Sequence, residues 1–352
     1  MQASRAPDPP PAAPLEVRGL RIAPPLFLAP MAGLTHVALR HLVAEFGGCG
    51  CFETEMLSAR SLPAERPGKD FFIARGEKDR PLAYQMATGD PREALRALET
   101  LHACGADAVD LNMGCSAPEI MRAGGGAALM RDPPRARAVV SALRGATARP
   151  LFVKIRAGWE PDERALADFA KGLEDSGADL VAVHGRLCPE RYGRPSQNRF
   201  IAAVVRAVSI PVVGNGDVVD GASARAMLAE TGCAGVMVGR AAVARPWLLR
   251  DIAAHLAGEL PPPTPDPAGV FARFVSLLAE CLPEERRLPR LKEFTGYFAR
   301  NFLFGHALWK AVQGSRSLEE ALGRALGFLE PLRGEDRHGC REVLPVELGR
   351  HG

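Results

Sequence analysis

The side chains best suited to chemistry are few, and they recur at the ends of apolar runs. Ala108-Val109-Asp110-Leu111 has the character of a short buried strand, and it stops at a polar turn holding Asn112, Cys115 and Ser116. A thiol presented there is a candidate nucleophile or proton donor. Taken alone, Cys115 reads more readily as a small buried apolar residue, because free cysteine is among the most buried types. Lys154 lies in the otherwise apolar Phe152-Val153-Lys154-Ile155. A buried ammonium is costly unless it meets an anion or a polar ligand; the alternative is a lysine snorkelling to the rim. His184 closes a run of Val and Ala, either as a hydrogen-bonded core histidine or as a ligand contact.

Two further signals concern ligand shape. Gly214-Asn215-Gly216-Asp217 and Gly239-Arg240 each end an apolar run. Small residues let backbone N–H groups approach a phosphate, and Arg240 adds a cation, so Asn215, Gly216, Asp217, Gly239 and Arg240 form a candidate phosphate cradle. The competing reading is that the glycines only shape tight turns. Gln85 and Asn112 carry carboxamides whose donor and acceptor edges suit a planar heterocycle, a flavin or a pyrimidine.

Positioning these residues takes a regular scaffold. Strand-like runs fall at 26–29, 51–56, 82–86, 108–111, 151–155, 180–184, 212–215 and 235–239. Helix-like segments separate them. Pro91 to Ala103 has Asp90 as N-cap, Asp162 to Ser176 stops at Gly177, and Arg199 to Val208 and Gly221 to Glu230 carry helical spacing. Eight βα units in about 230 residues predict an α/β fold, a (β/α)8 TIM barrel, in which the working residues sit at the carboxyl ends of the strands. A dinucleotide fold is disfavoured, since no G-x-G-x-x-G follows the first strand. The expected organisation is a flexible Pro-rich N-terminus over 1–14, the barrel over 15–258, a Pro-rich linker over 259–267 and a small all-helical domain over 268–352. Three apolar faces, at 270–278, 291–303 and 318–329, supply the helical domain's core.

The totals exclude several classes. A net charge of +3 on 352 residues is too small to mark a polyanion binder by itself. The eight cysteines form no CxxC pair, so no metal site is expected and reduced thiols in the cytoplasm are the default. No apolar run is long enough to span a membrane, and the N-terminus lacks a secretory core.

The strand-end phrases together resemble a family. Ala29–Arg40 (APMAGLTHVALR), Glu53–Met56 (ETEM), Tyr84–Pro91 (YQMATGDP), Asp110–Cys115 (DLNMGC), Val153–Trp159 (VKIRAGW), Val183–Arg186 (VHGR), Gly214–Val218 (GNGDV) and Gly235–Trp247 (GVMVGRAAVARPW) follow the pattern of the tRNA-dihydrouridine synthases, closest to their bacterial B-type branch. The resemblance spans about residues 22–250 and continues more weakly into the tail. It implies an FMN-containing oxidoreductase that reduces selected uridines of tRNA with NADPH (or NADH). By the same resemblance Pro30, Met31 and Ala32 line the flavin through backbone contacts, and Gln85 binds the isoalloxazine edge. Lys154 and His184 lie near the flavin, and Asn215, Gly216, Asp217, Gly239 and Arg240 hold the FMN phosphate. Asn112 contacts the target uracil and Cys115 is the general acid.

That chemistry is physically coherent. Hydride delivered to uracil C6 leaves an enolate needing a proton at C5, and a thiol is mostly protonated near neutral pH. The target base must leave its stack to reach a barrel floor. A tRNA partner also fits residues 286–316, with seven Lys/Arg against one acid and with Phe294, Tyr297, Phe298, Phe302 and Trp309 interleaved, although a solvated basic face reads equally well from composition. A monomer is expected. Three departures from the family pattern stand out: Ser116 where Pro usually follows the cysteine, His36 where Asp is typical, and an altered 191–197 loop. Two rival readings remain, an FMN barrel acting on a small metabolite, as dihydroorotate dehydrogenases do, and an inactive tRNA-binding protein.

Overall fold

The computed structural model describes residues 13–190 and 193–333. The expectations for most of the N-terminal lead-in, for Arg191 and Tyr192, and for the end of the tail lie outside the described residues.

Eight parallel strands close into a barrel: β3 (Leu26–Leu28), β4 (Phe52–Glu53), β6 (Leu82–Ala87), β7 (Ala108–Asn112), β8 (Leu151–Arg156), β9 (Leu180–His184), β10 (Val212–Asn215) and β11 (Gly235–Val238). A Phe27–Cys51 bridge brings the β4 edge back to β3. Helices α1 (Val37–Phe46), α2 (Pro91–Ala103), α3 (Pro118–Arg122), α4 (Pro133–Ala146), α5 (Glu163–Asp175), α6 (Asn198–Ala207), α7 (Gly221–Thr231), α8 (Arg240–Ala244) and α9 (Leu248–Leu256) connect and follow them. The TIM barrel predicted from the strand runs is the observed fold, followed by a helical region. Asp90 caps α2 as expected, accepting from Arg92 N at 2.7 Å, and Asp162, expected as the first residue of its helix, is the N-cap of α5, accepting from Arg164 N and Ala165 N, both at 2.9 Å.

Two features differ from the sequence reading. The run expected over 51–56 is broken, because after β4 and a last bond from Thr54 N to Ala83 O the chain leaves the ladder at Glu55 and Met56 and rejoins it as β5 (Leu57–Ser58). The break lets Glu55 turn to the neighbouring loop, where it accepts from Gly33 N. The structure also contains a hairpin, β1 (Leu15–Val17) with β2 (Leu20–Ile22), that the strand count omits. Val17 and Ile22 bury into the barrel's inner cluster and plug its amino end, and Arg18 pairs with Asp179 at 2.9 Å.

The period of two along each strand separates floor from mouth. The inner floor is apolar, with Phe27, Ala83, Ala108, Phe152, Leu180 and Val213 in one cluster. Further along the same strands the inward positions become polar. Gln85 pairs in register with Asp110, Asn112 with Lys154, and Arg156 with His184.

Four further helices, α10 (Pro267–Cys281), α11 (Glu284–Phe298), α12 (Gly305–Gln313) and α13 (Leu318–Leu329), form the tail. Phe274 and Phe298 flank Phe294, at centroid distances of 4.1 and 5.2 Å. These rings belong to the same apolar cluster as Val37, Ala38 and Leu42 of α1, so the tail and the barrel's outer shell share one core. Arg273 of α10 donates to Glu45 of α1 at 2.7 Å, and Asn301 Nδ2 donates to Ala244 O at the end of α8, also at 2.7 Å.

Candidate active site

The carboxyl ends of β3, β8, β9, β10 and β11 surround a pocket. Pro30, Met31, Lys154, His184, Asn215, Gly216, Asp217, Gly239 and Arg240 all line it, alongside Ala29, Arg186, Val218, Met237 and Ala241. Four sequence candidates lie outside that lining: Ala32, Gln85, Asn112 and Cys115.

The pocket is cationic. Burial, with Lys154, Arg156, Arg186 and Arg240 close by, holds the His184 imidazole well below its ordinary range, so it is neutral. Arg186 Nη1 lies 3.1 Å from His184 Nε2. A guanidinium only donates, so Nε2 accepts and the imidazole proton belongs on Nδ1. Lys154 is brought down to about 8 by burial first and by the Arg156 charge second, against the pull of Asp110 and Glu53.

Asp217 and Gly216 show how the β10 end of the pocket is built. Arg186 Nη2 grips both Asp217 carboxylate oxygens, at 2.6 and 2.7 Å, and Ser196 N donates to Oδ2 at 2.7 Å. The Asp217 carboxylate is therefore already matched, which leaves its backbone, held at φ 54°, to face the pocket. Gly216 has φ 125°, and a Cβ there would run into Ser196 Oγ and His184, so only glycine fits this close approach. Asn215 Nδ2 donates across to Met237 O at 2.8 Å, joining the β10 and β11 ends.

The other half of the mouth is closed and acidic. Gln85 is wholly buried, and its Nε2 donates to Asp110 Oδ2 at 2.6 Å. Asn112 Nδ2 donates to Gln85 Oε1 at 2.9 Å, while Asn112 Oδ1 accepts from Gly114 N at 3.1 Å and Cys115 N at 2.9 Å. Cys115 sits part-exposed on the following loop, and its carbonyl accepts from Ala127 N at 2.8 Å. Beneath lie two buried acids. Burial pushes Asp110 up to about 6, opposed by its Gln85 hydrogen bond and by Lys154. Burial and then the Asp110 charge hold Glu53 well above the usual carboxylate range.

Sequence reasoning passed over Glu53, Asp110 and Arg186 as site residues. Arg186 had a signal, its place just after a strand ending in His184. The two acids had a weaker one, a carboxyl inside an apolar strand run.

The tail reaches the mouth through Arg290, which pairs with Glu293 at 3.0 Å and approaches Glu55 at 3.6 Å. The same three residues enclose Gly33, with φ 79°. Glu55 takes its N–H, and a Cβ there would lie 2.6 Å from Arg290 Nη1 and 2.7 Å from Glu293 Oε1. His36 also belongs to this joint. Its ring is buried at 6.1 Å from Phe274, and burial with two nearby arginines lowers it to about 3. It starts α1 without the side-chain cap that an Asp offers, so this departure exchanges a cap for a packing contact with the tail.

The tail's basic stretch divides. Phe294, Phe298 and Phe302 are core residues and are closed to a partner. Phe304 and Trp309 are 63% and 48% exposed, near exposed Arg300, His306 and Lys310.

Residues 27–310 match the family model "Dihydrouridine synthase (Dus)". A probable tRNA-dihydrouridine synthase of Rhodobacter capsulatus is 38% identical, with 74% of this chain and 81% of that protein covered. tRNA-dihydrouridine synthase B of Escherichia coli is 36% identical over 68% of this chain and 75% of its own length. Among solved structures, histamine dehydrogenase from Rhizobium sp. 4-9 superposes with a TM-score of 0.53 at 12% identity, covering 76% of this chain and 50% of that one, a likeness of fold alone. The chain belongs to the dihydrouridine synthase family of flavin-dependent oxidoreductases.

Proposed function

We propose that this chain is a tRNA-dihydrouridine synthase, with FMN as its flavin, NADPH (or NADH) as reductant, tRNA as substrate, the cytoplasm as its location and a monomer as its working unit. The supporting observation is the cationic pocket beside the Cys115 loop. Lys154, Arg186 and Arg240 converge there with Gly216 and Gly239 at the carboxyl ends of β8 to β11, which is where such barrels take phosphate-bearing groups. The fit to FMN rests on the absence of room for a Cβ at Gly216, on the matched charge of Asp217 and on the neutral His184.

When bound, a reduced flavin supplies the hydride that goes to C6 of the flipped uracil. In this reading Cys115 holds the thiol proton that passes to C5. Lys154 offers positive charge against the negative charge that develops on the ring. Pro30 and Met31 bound one wall of the pocket with Ala32 just beyond it, and Asn112, above the wholly buried Gln85, keeps one Nδ2 hydrogen for a heterocycle after its internal bonds are made. Exposed Phe304 and Trp309, with Arg300 and Lys310, suit stacking on unpaired bases and contact with phosphate.

The test is direct. The purified chain, FMN, NADPH and an unmodified tRNA transcript are incubated and the RNA is digested for mass spectrometry. Dihydrouridine at defined positions is expected. Reduction of free pyrimidines with no change in tRNA would overturn the reading in favour of a small-metabolite oxidoreductase. Deleting the tail is a poor probe of RNA contact, because it uncovers the core that the tail shares with the barrel shell. Arg300→Glu with Lys310→Glu leaves that core covered and should weaken tRNA binding while flavin is retained.

A further inference from the structure

We propose that Asp110 is a positioning residue for the Cys115 loop, acting through the Gln85 and Asn112 carboxamides. The inference deepens the reading of Cys115 as proton donor and rests on it. Asp110, Gln85 and Asn112 lie on neighbouring strands and project inward, with Asp110 1% and Gln85 0% exposed. Asp110 does not line the pocket, so its route to the chemistry is through its neighbours.

The chain of hydrogen bonds has a fixed direction. At one end the Gly114 and Cys115 N–H groups can only donate, which turns Asn112 Oδ1 toward them and Nδ2 toward Gln85. At the other end the Asp110 carboxylate only accepts, which turns Gln85 Nε2 toward it and Oε1 toward Asn112. Both ends demand the same orientation of both amides, although neither end touches the other. A carboxamide held at both ends by partners of opposite kind has two bonds opposing the half-turn that swaps its oxygen for its nitrogen, and with one partner removed it has only the other. Rotation of Gln85 would set its NH2 against the Asn112 NH2. Asn112 would then have to turn its own NH2 toward the Cys115 loop, against two N–H donors. Removing the acceptor at position 110 leaves that rotation opposed from the loop end alone, at the expense of the Asn112 bonds to Gly114 N and Cys115 N, so residues 113–116 are held less firmly from a distance of two side chains.

The requirement is for an acceptor, not for a charge. Asp110 Oδ1 is buried without a partner, and so is Oε2 of the neighbouring Glu53. Asparagine at 110 presents its oxygen to Gln85 and its NH2 to the Glu53 side, keeping the direction of the chain. Leucine, of similar size, offers Gln85 nothing.

The experiment compares Asp110→Asn and Asp110→Leu in the full-length flavin-loaded chain. Two readouts do not depend on turnover: amide hydrogen exchange in the 113–116 peptide, and the rate at which iodoacetamide alkylates Cys115, mapped by mass spectrometry. The third is uridine reduction in tRNA, separated into kcat and KM. Asp110→Leu should speed exchange and alkylation, and should lower kcat by about tenfold or more with KM for tRNA within about twofold. Asp110→Asn should stay within about threefold of the parent in every readout. Should Asp110→Leu fail to fold, Asp110→Ser, whose hydroxyl stops short of Gln85, is read in its place. Unchanged exchange and alkylation in the acceptor-free variant overturn the proposal. So does an Asp110→Asn variant as impaired as Asp110→Leu, since charge on Lys154 would then be the cause. If Cys115→Ala instead makes dihydrouridine normally, the proton-donor reading falls, while the exchange and alkylation arms still decide the positioning role.

Discussion

The two sides of the barrel mouth are built in opposite ways. On the side of β9, β10, β11 and β3 the strand ends open into a pocket lined by Lys154, Arg186, Arg240 and a neutral His184. On the side of β4, β6 and β7 the inward residues are Glu53, Gln85, Asp110 and Asn112, all closed to solvent, with Gln85 bonded to both Asp110 and Asn112. One side gathers cations and glycine backbone around a pocket. The other turns its polar groups inward and carries one part-exposed thiol on the loop beyond them. Binding an anion needs available donors, whereas aiming a proton donor needs a rigid frame behind it. Lys154, on β8, belongs to both, lining the pocket while interacting with the acids beneath.

The sharpest way to break this division is Cys115→Ala. Loss of a general acid costs about 10²-fold or more in rate, so dihydrouridine formed in a single turnover should fall by at least that factor. Flavin content, read from the visible spectrum, should not change. If flavin is lost as well, the two sides are not separate. Arg186→Ala attacks the opposite side. It removes a charge-assisted pair and leaves the Asp217 carboxylate unneutralised beside the anion site. With charged hydrogen bonds worth about 1.5–3 kcal/mol, the flavin dissociation constant should rise by about 10–10²-fold, measured by fluorescence titration. Turnover per bound flavin should fall far less. An Arg186→Ala chain that keeps its flavin at nanomolar protein concentration would remove Arg186 from the cradle.

The same contrast separates what was legible in the sequence from what was not. Lys154 stands out because a lone cation in an apolar run is anomalous by itself, and the glycines at 214, 216 and 239 announce close approach of backbone. The helices around the barrel were equally readable, since Asp90 and Asp162 carry their caps within three residues. Asp110 was hidden for a physical reason. Its meaning depends on Gln85, 25 residues earlier, and on Glu53 a further strand away, and only closure of the sheet brings them together. The β1–β2 hairpin was missed because three-residue strands carry too short a pattern to register. In the tail, helical spacing identified the buried phenylalanines, but Leu303 fell on the same predicted face and is 52% exposed, because the chain leaves the α11 helix before reaching it.

A smaller effect probes the seam between the pocket and the tail. Gly33 follows the pocket residues Pro30 and Met31 and is enclosed by Glu55, Arg290 and Glu293. Alanine there adopts a left-handed backbone at a cost of about 1–2 kcal/mol and must also displace an ion pair. The urea midpoint should fall accordingly. Flavin affinity should weaken along with it if the tail steadies this loop, and should be unchanged if the tail only packs against it.

The most modest change expected is a proton count, and it tests the residue that the two sides share. Lys154 is held near 8 by burial and the Arg156 charge, so at pH 8 it is divided between ammonium and amine. An anionic ligand in the pocket favours the charged form and raises that value. Binding should therefore take up a fraction of one proton between about pH 8 and 9, and progressively less below pH 7, where the lysine is already charged. Calorimetric titration of FMN in buffers of different ionisation enthalpy reads this number directly. In Lys154→Met the uptake should vanish, since His184 is neutral through this range and stays so. Uptake that persists in the variant would move the titrating group away from β8, and with it the link between the anion pocket and the acids below.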